Sequence, residues 1–77
     1  MNNDVKIKAI RKVASLIGGT VRNNYSGRGM FGETCYGIDC DDHYECVVQS
    51  AMKGLPKPTI DNMGKGYIVY WPKIKEV

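Results

Sequence analysis

The chain has 77 residues, of which 43 % are hydrophobic and 25 % charged, and its formal net charge is +3 at pH 7. This length predicts one domain, residues 1–77, with a thin core, and this composition excludes disordered and fibrous classes. Lysines and arginines interrupt the apolar residues near the N-terminus, so neither a secretory segment nor a membrane span is expected. We expect a cytoplasmic protein without membrane contact.

The charges are unevenly distributed along the chain. Five of the eight acidic residues fall within residues 33–45, and no lysine or arginine lies between Arg28 and Lys53. The rest of the chain is therefore basic, which favours an anionic partner over an acidic one. Solvated charge that keeps the protein soluble is an equally good explanation.

The first predicted element is an amphipathic helix over residues 4–17. Its apolar residues recur at three- and four-residue spacing, namely Ile7, Ile10, Val13, Ala14 and Ile17. Asp4 is expected to cap its start, and Gly18 and Gly19 to end it. Its opposite face carries Lys8, Arg11 and Lys12.

Residues 20–25 and 34–38 are predicted to be two short strands, with Val21 facing inward and a glycine-rich hairpin-like loop between them. Residues 39–42 are predicted to be a turn rich in carboxylates. A second helix is expected over residues 42–53, because Asp42 and Glu45 have the spacing of a capping box. Its predicted apolar face consists of Val47, Val48, Ala51, Met52 and Leu55, and Gly54 follows its end.

Residues 59–66 are predicted to be a second glycine loop. Residues 67–71, YIVYW, give the strongest strand signal in the chain, and Pro72 should stop this strand or make it an edge. The predicted fold class is α+β, a small single domain in the order α-β-β-α-β. Its short antiparallel sheet would be packed by the two helices.

Cysteine and histidine are concentrated in one window, C-x4-C-x2-H-x2-C, formed by Cys35, Cys40, His43 and Cys46. The close C-x2-C pair that normally begins a zinc finger is missing, so no metal site is expected. A nucleophile pair of His43 with Cys35 or Cys40 is conceivable, but no orienting group or oxyanion motif can be read. We expect a non-enzymatic protein without a cofactor, whose cysteines are small buried hydrophobic residues.

The two glycine loops offer the chemistry of an anion site. The sequence SGRGMFG is not a P-loop, yet its glycines let backbone N–H groups approach a phosphate, and Arg28 can pair with a phosphate bidentately. Further contacts are expected from Tyr25 or Phe31 stacking on a base and from polar groups of Asp61, Asn62 and Lys65. The remaining candidate ligand contacts are Ser26, Gly27, Gly29, Met30 and Met63. Two ordinary turns are the alternative interpretation.

A nucleotide-sized ligand needs a pocket of roughly 300–1,000 Å³. A domain of this size has little room to enclose such a pocket alone. We therefore expect a homo-oligomer with sites between subunits, for which a twofold interface is the commonest arrangement.

The segments YSGRGMFGETCYGI and GLPKPTIDNMGKGYIVYWP resemble small proteins of tailed phages and prophages. Those proteins pair an R-G-M-[YF]-G-x-x-C-x-G-I loop with a D-x-M-G-x-x-x-[IV]-x-[YF] segment, and the resemblance covers about the last two-thirds of the chain. The matching residues are residues 28–32, Cys35, Gly37, Ile38, Asp61, Met63, Gly64, Ile68 and Tyr70.

Among assigned groups, the pattern resembles the phage anti-CBASS nucleotide sponges, which are small non-catalytic oligomers. The resemblance implies that the chain sequesters a cyclic dinucleotide immune signal in the host bacterial cytoplasm, with the two glycine loops as its site.

Two other functions remain open. The first is a phage protein–protein inhibitor of a host defence or transcription complex, with Met30, Phe31 and Trp71 as its interface patch. The second is a small nucleic-acid-binding module that uses Lys8, Arg11 and Lys12. The acidic residues within 33–45 make a nucleic-acid partner the least favoured.

Overall fold

A four-stranded antiparallel sheet with two helices on one face forms the fold in the computed structural model, which describes residues 2–25 and 35–72. The strand order is β1-β2-β4-β3, and the element order α-β-β-α-β-β confirms the α+β class. The elements are α1 (Asn3–Ile17), β1 (Thr20–Tyr25), β2 (Cys35–Cys40), α2 (His43–Met52), β3 (Thr59–Asn62) and β4 (Tyr67–Pro72).

Strand β3 is the element that the sequence analysis missed, because residues 59–66 were predicted to be a loop. Its four residues pair antiparallel with β4, from Thr59 opposite Tyr70 to Asn62 opposite Tyr67. Aspartate and asparagine are rare in strands, so the segment has little local strand signal and forms only through this pairing. As a result β4 is central, with β2 on its other side. Of the two expectations for Pro72, an edge strand is wrong, whereas Pro72 is the last residue of β4.

Strand β2 also differs from its predicted extent. It continues through Asp39 and Cys40, which were expected in a turn, because both pair with β4 opposite Ile68 and Tyr67. Thr34 lies outside the described residues. The antiparallel pairing of β1 with β2 agrees with the predicted hairpin-like connection, whose own residues also lie outside the described part of the chain.

Helix α1 begins one residue before its predicted start. Asn2, not Asp4, is its N-cap, and the Asn2 side chain accepts a hydrogen bond from the Val5 backbone N–H at 2.9 Å. Asp4 lies in the first turn, where its charge favours the helix dipole. Gly18 ends the helix in the left-handed conformation, φ 70°, as predicted.

Helix α2 has the predicted N-cap, since Asp42 accepts from the Glu45 backbone N–H at 3.1 Å. The predicted core face is right only in part: Leu55 belongs to the core and Val47 packs against it, but the fully buried positions within the helix are Cys46 and Ser50. Ser50 can be buried because its hydroxyl donates to the Cys46 carbonyl oxygen at 2.7 Å. Met52 is 73 % exposed instead.

The main core lies between the helices and one face of the sheet. Ile7, Ile10, Val13 and Ala14 of α1 pack there against the strand residues Tyr36, Ile38, Val69 and Trp71. Trp71 is 1 % exposed and its indole N–H donates to the Pro56 carbonyl oxygen at 2.7 Å. Trp71 is therefore a core residue and not part of the interface patch considered above.

The other face of the sheet has a smaller apolar cluster of its own. Cys35, Ile68 and Tyr70 are buried there, with Tyr25 packed against them. Neighbouring residues of a strand point to opposite faces. Val69 and Trp71 therefore point into the main core, and Tyr70, which separates them in the sequence, points to the second face.

Gly37 lies on this second face, where β2 and β4 approach closely. A Cβ at this position would lie 2.9 Å from the Tyr70 Cβ and 2.9 Å from the Val69 backbone oxygen. Neither atom belongs to the flexible end of a side chain. We expect Gly37→Ala to lower the free energy of unfolding by about 1–3 kcal/mol, measured by urea unfolding. The exposed Asn23→Ala variant is the control, and equal midpoints for the two variants would contradict this packing.

Candidate functional site

Four of the predicted ligand-binding residues, Tyr25, Asp61, Met63 and Lys65, lie in the described part of the chain. The other six occupy residues 26–31 and lie outside it. The four come from the end of β1, from β3 and from the β3–β4 turn. The structure therefore allows one test of the proposed site: whether the start of the first glycine loop approaches the second.

Tyr25 does contact the second glycine loop. Its hydroxyl donates to the Asp61 carboxylate oxygen Oδ2 at 2.6 Å and lies 4.0 Å from the Met63 sulfur. The Tyr25 ring packs edge-to-face on Tyr70, with ring centroids 4.9 Å apart. Tyr25 thus reaches across the sheet from edge strand β1 to edge strand β3.

Asp61 has an internal role in this arrangement. It is only 4 % exposed, and its carboxylate accepts the Tyr25 hydrogen bond. Buried carboxylates require such donors, so this contact fixes Tyr25 relative to β3. Direct contact of Asp61 with a ligand stays a prediction.

A cleft of about 360 Å³ opens beside this contact. It is bounded by the start of β1, the end of β2 and the β3–β4 turn. Its lining residues are Gly18, Thr20, Arg22, Asp39, Cys40, Asp41, Met63, Lys65 and Tyr67. Met63 both lines the cleft and contacts Tyr25, and the Arg22 guanidinium lies 6.0 Å from the Tyr25 ring centroid. The volume lies at the lower end of the range of ligand pockets, and the expectation of a site between two subunits stays a prediction.

The charges of the cleft are mixed. Arg22 forms an ion pair with Asp39, in which its Nε and a terminal nitrogen lie 3.0 and 2.9 Å from Oδ2. Lys65 and Asp41 are the other charged lining residues. Such a cleft presents cationic donors for an anion together with carboxylates that accept hydrogen bonds from hydroxyl or amino groups.

The β3–β4 turn holds Lys65 beside the cleft. The Asn62 side chain accepts from the Gly64 backbone N–H at 2.8 Å, and the Met63 N–H donates to the Gly66 carbonyl oxygen at 3.0 Å. Asn62 therefore stabilises the turn, and its contact with a base stays a prediction. Gly66 has φ 106°, and a Cβ there would lie 3.0 Å from the Cys40 carbonyl oxygen. This close approach brings the turn against the end of β2.

The sequence analysis did not identify Thr20, Arg22, Asp39 and Asp41 as part of the site. In β1 and β2, Thr20, Arg22 and Asp39 alternate with the core-facing Val21 and Ile38. The alternation of side chains along a strand predicts that these three residues share the second face. It does not predict that the β3–β4 turn lies beside them, because β3 was not recognised as a strand.

The cysteines are divided between the two faces of the sheet. Cys46 belongs to the main core and Cys35 to the second cluster, so a four-residue zinc site with Cys40 and His43 does not form. In residues 2–25 and 35–72, no group of three or more potential metal ligands occurs. The His43 ring packs edge-to-face on Tyr67 at 4.3 Å.

Burial raises the pKa of Cys46 to about 12, with a further contribution from Cys40. The pKa of Cys40 is also raised, mainly by burial. Because the folded-state pKa of Cys46 lies above that of the unfolded chain, its thiol contributes stability that is fully present below about pH 8.5. This contribution is lost as the pH rises through about 12.

We therefore expect the stability advantage of the wild-type chain over Cys46→Ser to shrink above pH 8.5. The slope should be at most about 1.4 kcal/mol per pH unit. Urea unfolding of both proteins between pH 7 and pH 11 measures it. An advantage that stays constant over this range would contradict the raised pKa.

Comparisons with known proteins do not assign the chain to a family. No family model matches it, and no curated protein or solved structure is significantly similar to it. Within the described residues, neither helix has the length and apolar character needed to cross a lipid bilayer.

Proposed function

We propose that this chain is a non-enzymatic binding protein for an anionic nucleotide, and that the cleft is part of its binding site. The observation that carries the proposal is the contact of Tyr25 with Asp61 and Met63. Tyr25 is the residue that leads into the first glycine loop, and Asp61 and Met63 begin the second. Tyr25, the residue that precedes the first glycine loop, is therefore in contact with the second loop on one face of the sheet.

The chemistry of the cleft favours a nucleotide over a simple anion. Lys65 and Arg22 can donate to phosphate oxygens, and Asp41 can accept from ribose hydroxyl or base amino groups. A small inorganic anion would bind the two cations and would be repelled by the two carboxylates of the lining. A nucleotide carries phosphate oxygens for the cations and hydroxyl or amino donors for the carboxylates.

The resemblance to phage sponges narrows the proposed ligand to a cyclic oligonucleotide signal. In this proposal the protein acts for a phage in the host cytoplasm, and sequestration of the signal evades an anti-phage defence. Binding alone is sufficient for such a role. The chain is expected to act without a cofactor and to release its ligand unchanged.

Titration calorimetry against a panel of cyclic di- and trinucleotides tests this function. Linear dinucleotides and NAD-derived signals are the controls. Tight binding of one cyclic species, recovered intact after heat denaturation of the protein, is the expected result. If no cyclic species gives heat, the proposal fails and a protein–protein inhibitor becomes the better explanation. If the ligand is recovered cleaved, the chain is an enzyme.

Lys65→Ala is expected to weaken the binding of that species roughly 10- to 100-fold, because a charge-assisted hydrogen bond contributes about 1.5–3 kcal/mol. Lys65 is exposed, so the melting temperature of the variant protein should equal that of the wild type. Lys57→Ala, which removes an exposed lysine outside the cleft lining, is the matched control. Equal affinities of the two variants would remove Lys65 from the site.

A further inference from the structure

Helix α2 has apolar side chains on two of its sides. Cys46 and Ser50 are buried, and Cys46 packs in the main core. A second stripe, which we call the outer stripe, consists of Tyr44, Val48, Ala51 and Met52. These residues recur at positions i, i+4, i+7 and i+8, so they form one continuous line on the helix surface.

The outer stripe is largely exposed. Tyr44 and Met52 are 71 % and 73 % exposed, Ala51 is exposed, and Val48 is half-buried. Single exposed apolar residues are ordinary, as with Val5 and Leu16 of α1, which lie about 16 Å apart along the helix axis. The outer stripe differs because its members adjoin, and a helix that is apolar on two sides usually has two packing partners.

The charges at the two ends of α2 indicate which partner fits. The exposed acidic residues Asp41, Asp42 and Glu45 lie at the N-terminal end of the helix, and the exposed Lys53 and Lys57 follow its C-terminal end. Two copies of α2 packed antiparallel would place the acidic end of each helix beside the basic end of the other. A parallel arrangement would place like charges together.

We propose that the outer stripe docks a second copy of this chain, with the two α2 helices antiparallel about a twofold axis near Val48. Tyr44 of one copy then packs against Met52 of the second copy, an aromatic–sulfur contact. Glu45 of one copy lies beside Lys53 of the second. The cleft is left open, because Thr20, Arg22 and Asp39 point away from the face that carries the helices.

The expected dimer is weak. The exposed parts of the four side chains amount to about 300–400 Å² per chain, and a stable interface buries about 800 Å² per partner. Association should therefore depend strongly on concentration. This inference does not rest on nucleotide binding, and its test needs no ligand.

Sedimentation velocity of the full chain over a concentration series is the test. The wild-type mass should rise from monomer towards dimer with concentration, and Met52→Glu should remain monomeric throughout. Leu16→Glu places the same charge on the exposed α1 position and should dimerise like the wild type. A far-ultraviolet circular dichroism melt of each variant establishes that it is folded, and Tyr44→Ser is the second stripe variant if Met52→Glu fails to fold.

A charge exchange tests the antiparallel geometry. Glu45→Lys and Lys53→Glu should each shift the monomer–dimer midpoint to higher concentration, and the double variant should move it back towards the wild type. A wild-type chain that stays monomeric overturns the proposal. So does a dimer that Met52→Glu leaves unchanged, which would instead indicate pairing through an edge strand, or a double variant weaker than both single ones.

Discussion

Trp71→Ala is expected to lower the free energy of unfolding by about 3–5 kcal/mol. Trp71 is among the largest side chains of the main core and is 1 % exposed. Its removal leaves a cavity between β4 and the helices, and it also removes the donor to the Pro56 carbonyl oxygen. Since small domains have only about 5–15 kcal/mol of stability in total, this loss is a large share of it.

Urea unfolding followed by far-ultraviolet circular dichroism measures this loss without relying on the tryptophan signal. Trp71→Phe separates the effect of the cavity from the effect of the lost hydrogen bond, because phenylalanine keeps most of the packing but has no indole N–H donor. We expect this variant to lie between the wild type and Trp71→Ala. A loss below about 1 kcal/mol for Trp71→Ala would indicate a surface residue, and the interface patch would then become possible again.

Tyr25→Phe is expected to lower the free energy of unfolding by about 1–3 kcal/mol, because it removes a donor from the buried Asp61 carboxylate. The phenyl ring can still pack on Tyr70. The change acts on the contact between the end of β1 and β3, beside the proposed cleft, so it should also weaken nucleotide binding. Lys65→Ala, in contrast, should affect binding alone.

Tyr44→Phe is the matched control for this prediction, because Tyr44 loses the same hydroxyl at a position that is 71 % exposed. Its unfolding midpoint should equal that of the wild type within error. Measurement of both variants by urea unfolding and by calorimetry separates the structural effect from the binding effect. Identical midpoints for Tyr25→Phe and Tyr44→Phe would contradict the assigned role of the Tyr25–Asp61 hydrogen bond.

Much of the fold follows from local patterns in the sequence. The apolar spacing of α1, the cap at Asp42 and the apolar run over residues 67–71 each have a short-range physical cause, and each is present in the structure. Strand β3 has no such cause. Its polar residues become a strand because β4 offers a partner, and pairing between strands cannot be read from one segment alone.

The orientation of α2 was mispredicted in part, for a similar reason. Val47 packs against the core as predicted, but Ala51 and Met52 are exposed, and the buried positions are Cys46 and Ser50. Ser50 can be buried only because its hydroxyl bonds to the Cys46 carbonyl oxygen, a compensation that hydrophobic periodicity does not contain. The site shows the same limit of local patterns. Met63 and Lys65 were predicted from their own segment, whereas Arg22 lines the same cleft only because of how the strands are arranged in the sheet.

The central claim is that a nucleotide occupies the cleft. The most direct measurement is a ¹H–¹⁵N correlation titration of the labelled chain with each cyclic di- and trinucleotide of the panel. The account predicts saturable shifts at the backbone amides that line the cleft, including Thr20, Arg22, Asp41 and Lys65, and small shifts along the outer stripe. Saturable shifts confined to α1 or α2, or no saturable shift with any cyclic nucleotide of the panel, would contradict it.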